Sequence, residues 1–133
     1  MTSNSIEHIG LVVKDSRQMA AWYNSALGFI ILKSVDTDNG HVAFIKCRKT
    51  GLIFELITDK MLTPVEDVLT HPLQVHIAFK STDIDADKNR LLDMGAEFVT
   101  DCMTNDPDAR VLIVKDPWGN YIQLAQRKDK FYT

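Results

Sequence analysis

Four polar residues stand in otherwise apolar, strand-like stretches, and their types suit metal chemistry. His8 and His76 lie near the start of two such stretches. Glu55 lies within Leu52-Ile53-Phe54-Glu55-Leu56-Ile57, and Gln123 within Tyr121-Ile122-Gln123-Leu124-Ala125. Glu55 follows His8 by 47 residues (55 − 8), and Gln123 follows His76 by 47 (123 − 76). A carboxylate in such a strand is costly to bury alone, so Glu55 must reach solvent, pair with a charge or bind a metal. Two imidazoles and one carboxylate are ordinary donors for a divalent transition metal, and the amide oxygen of Gln123 is a weak, neutral fourth. With one anionic ligand, the ion would stay strongly Lewis-acidic and keep open positions. Taken singly, each residue has a plainer reading: a histidine satisfied in the core or at the surface, a glutamate facing solvent, a surface glutamine. Their shared placement favours one site.

That placement comes from a repeat. With the chain offset by 68 residues, Glu7-His8-Ile9 falls on Val75-His76-Ile77, Asp15 on Asp83, Val42-Ala43-Phe44-Ile45 on Arg110-Val111-Leu112-Ile113, Gly51 on Gly119, Glu55 on Gln123 and Leu56 on Leu124. A one-residue slip sets Leu27-Gly28-Phe29 against Met94-Gly95-Ala96. Chance likeness of two unrelated strand-helix-strand segments is the alternative.

Each half reads as strand, helix and three strands. In the first, 6–14 is apolar and β-branched, and Asp15-Ser16 can cap a helix. Met19, Trp22, Tyr23, Ala26 and Leu27 make its apolar face, and Gly28 ends it. Strands follow over 29–36, 41–48 and 52–58, separated by the turn signals Asp38-Asn39-Gly40 and Lys49-Thr50-Gly51. In the second, a strand over 73–80 precedes a helix capped by Asp83 or Asp85. Ile84, Lys88, Leu91 and Leu92 lie along that helix, with Gly95 at its end. Strands over 97–101, 109–115 and 121–126 complete the half. The expected architecture is one α+β domain of two modules, 5–58 and 73–127. Residues 59–72 link them and hold a short helix starting near Thr63-Pro64. Period-two alternation puts His8, Gly10 and Val12 on one strand face and His76 and Ala78 on the matching one, with small residues leaving room for a ligand.

Composition bounds the function. The 133 residues carry 15 Lys and Arg against 18 Asp and Glu, a net charge of −3, so neither nucleic acid nor an anionic membrane is expected as main partner. Apolar runs are far short of a membrane span, and the start Met1-Thr2-Ser3-Asn4-Ser5 does not read as a signal peptide. Two cysteines, Cys47 and Cys102, make no disulfide scaffold and read as small apolar fillers in a reduced, cytoplasmic setting. Trp118 reads as packing in a turn, with a place at a pocket mouth as the alternative. Met94 and Met103 read as core fillers or pocket lining. His41 and His71, near turns, read as solvated. Arg48, Lys49 and Arg110 read as surface charge, with a grip on an anionic substrate as the alternative. The tail over 127–133 is polar and basic, and reads as exposed or as one helical turn.

The chain resembles the vicinal oxygen chelate superfamily, which includes glyoxalase I, methylmalonyl-CoA epimerase, extradiol dioxygenases and the fosfomycin- and bleomycin-resistance proteins. The resemblance rests on Ile6-Glu7-His8-Ile9-Gly10-Leu11-Val12-Val13-Lys14-Asp15, on Trp22-Tyr23-Asn24-Ser25-Ala26-Leu27-Gly28-Phe29, and on Asp116-Pro117-Trp118-Gly119-Asn120-Tyr121-Ile122-Gln123-Leu124. It implies two βαβββ modules that form an open, curled, barrel-like sheet. It also implies one divalent ion (Zn, Ni, Co, Mn or Fe) held by His8, Glu55, His76 and Gln123, chelating two neighbouring oxygens of a small substrate. Glyoxalase I commonly has a carboxylate where this chain has Gln123. Methylmalonyl-CoA epimerase looks like His, Gln, His, Glu in chain order, whereas the order here is His, Glu, His, Gln.

The implied activity is that of a metal-dependent isomerase or lyase working through an enediolate on a carbonyl or thioester. Glu55 is either the general base, moving on and off the metal, or a permanent ligand with water or another residue as base. The rivals are an extradiol-type dioxygenase, a metal-free binding protein of the bleomycin-resistance kind, and a thiol transferase of the fosfomycin-resistance kind. A homodimer is expected, because related modules often pair between chains.

Overall fold

A computed structural model describes residues 2–102 and 104–128. Met103 and the tail residues 129–133 lie outside the described residues. The chain divides into two compact units, Met1–Val68 and Leu69–Thr133.

The first unit runs β1 (Ile9–Val12), α1 (Ser16–Leu27), β2 (Ile30–Thr37), β3 (Gly40–Lys46), β4 (Ile53–Asp59) and α2 (Val65–Val68). Its strands form one four-stranded sheet in the order β1-β4-β3-β2, with β1 parallel to β4 and the other pairs antiparallel. The Asp15 carboxylate caps α1 by accepting the Gln18 N–H at 3.0 Å. Gly28 closes the helix at φ 71°, a left-handed conformation that costs glycine little. Met19, Ala20, Tyr23 and Ala26, spaced for one helical face, are buried, while Trp22 is half-buried. Tyr23 meets Phe29 edge-on at 5.8 Å, and Ile45 and Leu56 are buried beneath the helix layer. Helix α2 is a single turn beginning just after Pro64, as the linker composition suggests.

The second unit repeats the plan: β5 (Ile77–Lys80), α3 (Ile84–Asp93), β6 (Glu97–Cys102), β7 (Ala109–Lys115) and β8 (Tyr121–Arg127), in the sheet order β5-β8-β7-β6. Of the two candidate caps, Asp83 is the one used, accepting the Ala86 N–H at 3.1 Å. Ile84 and Leu91 of α3 and Leu112, Ile113, Ile122 and Leu124 of the sheet are buried. The fold is therefore α+β, built from two tandem βαβββ modules. The strands pair as two separate four-stranded sheets.

Register refines the repeat. Ile9 pairs with Phe54 and Gly10 with Glu55; at a 68-residue offset, Ile77 pairs with Ile122 and Ala78 with Gln123. A bulge interrupts β2 between Ile31 and Lys33 and β6 between Phe98 and Thr100, an offset of 67 at both edges of the bulge. Phe44 lies opposite Glu55, and Ile113 opposite Gln123. Phe44 thus corresponds to Ile113, one residue on from the Leu112 that a uniform offset supplies. Such a slip moves a strand residue to the other face, so register and not residue likeness settles the match.

Two further expectations change. The first strands are shorter than the apolar runs, so His8 and His76 each stand one residue before a strand instead of inside it. Ladder pairing with β4 starts only at Ile9, and residues 70–76 are drawn into a hydrogen-bonded loop. His41 is not solvated: it is 6% exposed. Its Nδ1 lies 2.6 Å from Ser16 Oγ and its Nε2 2.7 Å from Ser34 Oγ, while Thr58 Oγ1 donates to Ser16 Oγ at 3.0 Å. Burial, followed by the nearby Arg17 charge, lowers the His41 pKa against the opposing pull of Asp36 and Asp15. Alternation contained the clue, because His41 shares a strand face with the buried Ala43 and Ile45. His71 is exposed as expected.

Candidate metal centre

In the first unit, strand pairing brings the histidine and the carboxylate together. Glu55 reaches across the side-chain-free Gly10, whose added Cβ would stand 3.5 Å from Glu55 Oε1. His8 Nε2 lies 3.5 Å from that same oxygen. This is longer than a normal N–H···O hydrogen bond. It matches the edge of a coordination shell: two donors each about 2.1 Å from a tetrahedral ion stand about 3.4 Å apart. His8 Nδ1 is 3.0 Å from Glu7 Oε1. His8 thus stands between two carboxylates, Glu7 at Nδ1 and Glu55 at Nε2; a proton held at Nδ1 leaves the Nε2 lone pair available to a metal. Phe44 packs edge-on against the imidazole at 5.7 Å and limits its rotation. The His8 and Glu55 side chains are 34% and 25% exposed, so a ligand can reach both.

The second unit places its pair on the same backbone positions. His76 precedes β5, and Gln123 lies in β8 opposite Ala78. Both are half-buried. His76 Nδ1 is 2.8 Å from the Pro72 carbonyl oxygen. A carbonyl only accepts, which leaves Nε2 as the free donor. Among the described residues, neither unit by itself gathers three His, Cys, Asp or Glu side chains around one point. The first unit contains an imidazole beside an acid, and the second an imidazole and an amide.

The other singled-out residues take structural roles. Arg110 donates to Asp85 at 2.8 Å and lies 3.6 Å from Asp101, so it is an ion-paired surface residue. That pairing holds the Asp85 carboxyl below the ordinary carboxylate range. Arg48 donates to the Gly28 carbonyl at 3.0 Å, at the end of α1. The Asp116 carboxylate, 3% exposed, accepts the backbone N–H groups of Trp118 and Asn120 at 2.9 Å each; Trp118 thus belongs to a turn knotted by Asp116. Both cysteines are half-buried. Burial raises Cys102, whereas at Cys47 it also acts upward but hydrogen bonds from Thr50 and Lys49 outweigh it and lower the thiol. A groove of about 580 Å³ on the second unit runs past Asp83, Asp85, Pro107, Arg110 and Gln126. It contains none of the four candidate donors, and its Arg110 is already paired. Glu7 and Pro72, which orient the two imidazoles, carry no sequence signal of their own: one adjoins His8, and the other acts through its backbone.

The fold is thus a tandem of βαβββ modules, each with a histidine before its first strand and a polar residue on its last. The sequence profile of the Glyoxalase/Bleomycin resistance protein/Dioxygenase superfamily matches residues 5–124. The chain belongs to this superfamily.

No curated protein sequence matches the chain significantly. Among solved structures it is similar to TnmS3, an antibiotic-binding protein from Streptomyces sp. CB03234, with 24% identity over 95% of this chain and 100% of that one and a TM-score of 0.62. It is similar to the fosfomycin resistance protein FosX from Listeria monocytogenes in complex with Mn(II) and sulfate, with 19% identity over 96% and 93% of the two chains and a TM-score of 0.72. It is also similar to a glyoxalase family protein from Bacillus cereus, with 19% identity over 96% and 98% and a TM-score of 0.67. At these identities the likeness concerns the fold. No helix among the described residues is long and apolar enough to cross a membrane.

Proposed function

We propose that this chain is a metal-dependent isomerase or lyase that moves a proton beside a carbonyl or thioester, by way of an enediolate. His8, Glu55, His76 and Gln123 are the donors for one divalent ion: Zn, Ni, Co, Mn or Fe. The observation that carries this reading is the 3.5 Å approach of His8 Nε2 to Glu55 Oε1, with Nδ1 engaged by Glu7. The donor set suits a transition metal: two imidazoles, one carboxylate and one amide oxygen. A bound ion of this kind would supply Lewis acidity to the substrate carbonyl. Glu55 then takes the acidic proton on a carboxylate oxygen and returns it to the same or the neighbouring carbon. Gln123, which cannot ionise, holds its position without competing for that proton. His8 and His76 are oriented through Nδ1, the one by Glu7 and the other by the Pro72 carbonyl.

A thiol transferase is less well supported, because the fosfomycin-resistance kind usually places its acid in the last strand, where this chain has Gln123. A two-histidine, one-carboxylate dioxygenase would need Fe(II) and further acid–base groups. We further infer a cytoplasmic homodimer. The exposed apolar residues Ile31, Leu32 and Val35 on edge strand β2 support the pairing, and a monomeric mass at micromolar concentration would remove that part of the reading.

Hydrogen exchange tests the base. Protein loaded with each candidate metal is incubated in D2O with α-hydroxy carbonyl compounds, hemithioacetals and acyl thioesters, and loss of the C–H signal is followed by NMR. Deuterium should enter beside the carbonyl of a true substrate, and Glu55→Gln should abolish this while leaving the circular dichroism spectrum unchanged. Undiminished exchange in Glu55→Gln would exclude Glu55 as the base.

A further inference from the structure

The two histidines are held by different means. His8 leans on the side chain of its own neighbour, Glu7. His76 leans on a backbone carbonyl, and a carbonyl orients an imidazole only as firmly as the loop that carries it. That loop is organised by one side chain. Gln74 Oε1 accepts the backbone N–H of Thr70 at 2.7 Å and of His71 at 2.9 Å, and the Thr70 hydroxyl at 3.3 Å. The Gln74 N–H donates to the His71 carbonyl at 3.0 Å, and the Leu73 N–H to His71 Nδ1 at 3.1 Å. These bonds fold residues 70–74 onto themselves and leave the Pro72 carbonyl facing His76 Nδ1 at 2.8 Å. At the 68-residue offset Gln74 corresponds to Ile6, which is exposed, so the repeat does not require a glutamine here. Its amide oxygen serves the loop alone.

We propose that Gln74 is a positioning residue for His76: by closing the 70–74 loop it aims the Pro72 carbonyl at Nδ1, fixes the Nδ1–H tautomer and leaves Nε2 as the ligating atom. The use of that Nε2 rests on the metal-binding reading above; the tautomer itself does not. An imidazole freed from this carbonyl would share its proton between the two nitrogens and rotate, losing part of its preorganisation as a donor.

The test uses the whole chain in three forms: wild type, Gln74→Ala and Gln74→Glu. Glutamate keeps an acceptor oxygen at the same reach, so it should rescue what alanine loses. Long-range ¹⁵N–¹H spectra of the metal-free protein at about pH 8, where imidazoles are neutral, report which nitrogen of His76 carries the proton. The expected result is a single Nδ1–H form in wild type and Gln74→Glu, and a mixture in Gln74→Ala. Zn(II) affinity, read by competition with a chromophoric chelator, should fall about tenfold in Gln74→Ala and return in Gln74→Glu. An Nε2–H tautomer in the wild type overturns the proposal. So does a Gln74→Ala protein with an unaltered tautomer and affinity. If Gln74→Ala does not fold, the wild-type and Gln74→Glu tautomers still decide. Wild-type protein that binds no Zn(II) would count against the metal site, while the tautomer result would still decide the role of Gln74.

Discussion

The two units put the same backbone positions side by side and fill them differently. Before the first strand each has a histidine, and opposite the second residue of that strand one has Glu55 and the other Gln123. Partner size differs too: Gly10 leaves Glu55 room to approach His8, whereas Ala78 stands opposite Gln123. A second contrast lies at the start of each helix. In the first unit Ser16, Ser34 and Thr58 close a polar network around the buried His41. In the second unit the corresponding end of β7 carries Arg110, ion-paired at the surface beside a groove. The repeated backbone thus tolerates different chemistry at its ends while the buried faces between them stay apolar. The asymmetry lies in one ionisable position: a carboxylate at 55 in the first unit against an amide at 123 in the second.

Exchanging the asymmetric residues should have the largest effect. Glu55→Gln makes both units amides and should remove proton exchange outright. Gln123→Glu makes both acids and should retain metal, tightening it about tenfold through the added charge. Competition titration against a chelator reads the second change, and an unchanged affinity in Gln123→Glu would mean that position 123 faces no cation.

Next come Leu56→Ala and Leu124→Ala, equivalent core positions that are 1% and 2% exposed. Each should cost about 2–5 kcal/mol in urea unfolding. A marked inequality would show that the units do not share one pattern of packing.

Gly28→Ala should cost about 1 kcal/mol by the same measurement, because the φ of 71° is strained for alanine although the new Cβ meets nothing within 4 Å. No loss would indicate that the end of α1 relaxes freely.

The smallest effect is one of pH. The folded-state pKa of His41 is lowered, so the unfolded chain takes up a proton first as pH falls. The stability from this network is complete above the unfolded value of about 6.5 and declines as pH falls from there through the folded value. His41→Asn should flatten that slope. A wild-type stability independent of pH between about 7 and 5 would contradict the buried, neutral imidazole.

Much of the fold could be read in advance because its cues are local. Asp15 and Asp83 cap, Gly28 ends a helix, and alternation marks β3 and β8. What escaped was set by pairing and by neighbours. The bulges in β2 and β6 and the one-residue shift of β7 leave no mark in composition, so a uniform offset misplaced Phe44 against Leu112. His41 looked solvated because it adjoins the Asn39-Gly40 turn, yet its face is that of Ala43 and Ile45. The four candidate donors were found by type and equal spacing. The roles of Glu7, Pro72 and Gln74 were not, since two act on an adjacent or nearby residue through contacts that only coordinates reveal, and one acts through its backbone.

The central claim is that His8, Glu55, His76 and Gln123 hold one divalent ion. Elemental analysis of protein purified without chelator, repeated after loading with Zn, Ni, Co, Mn or Fe, tests it most directly. The account predicts about one equivalent of metal per chain in the wild type and its loss in His8→Ala and His76→Ala alike. Less than about one-tenth equivalent after loading with every ion, or metal retained in both histidine variants, would contradict it.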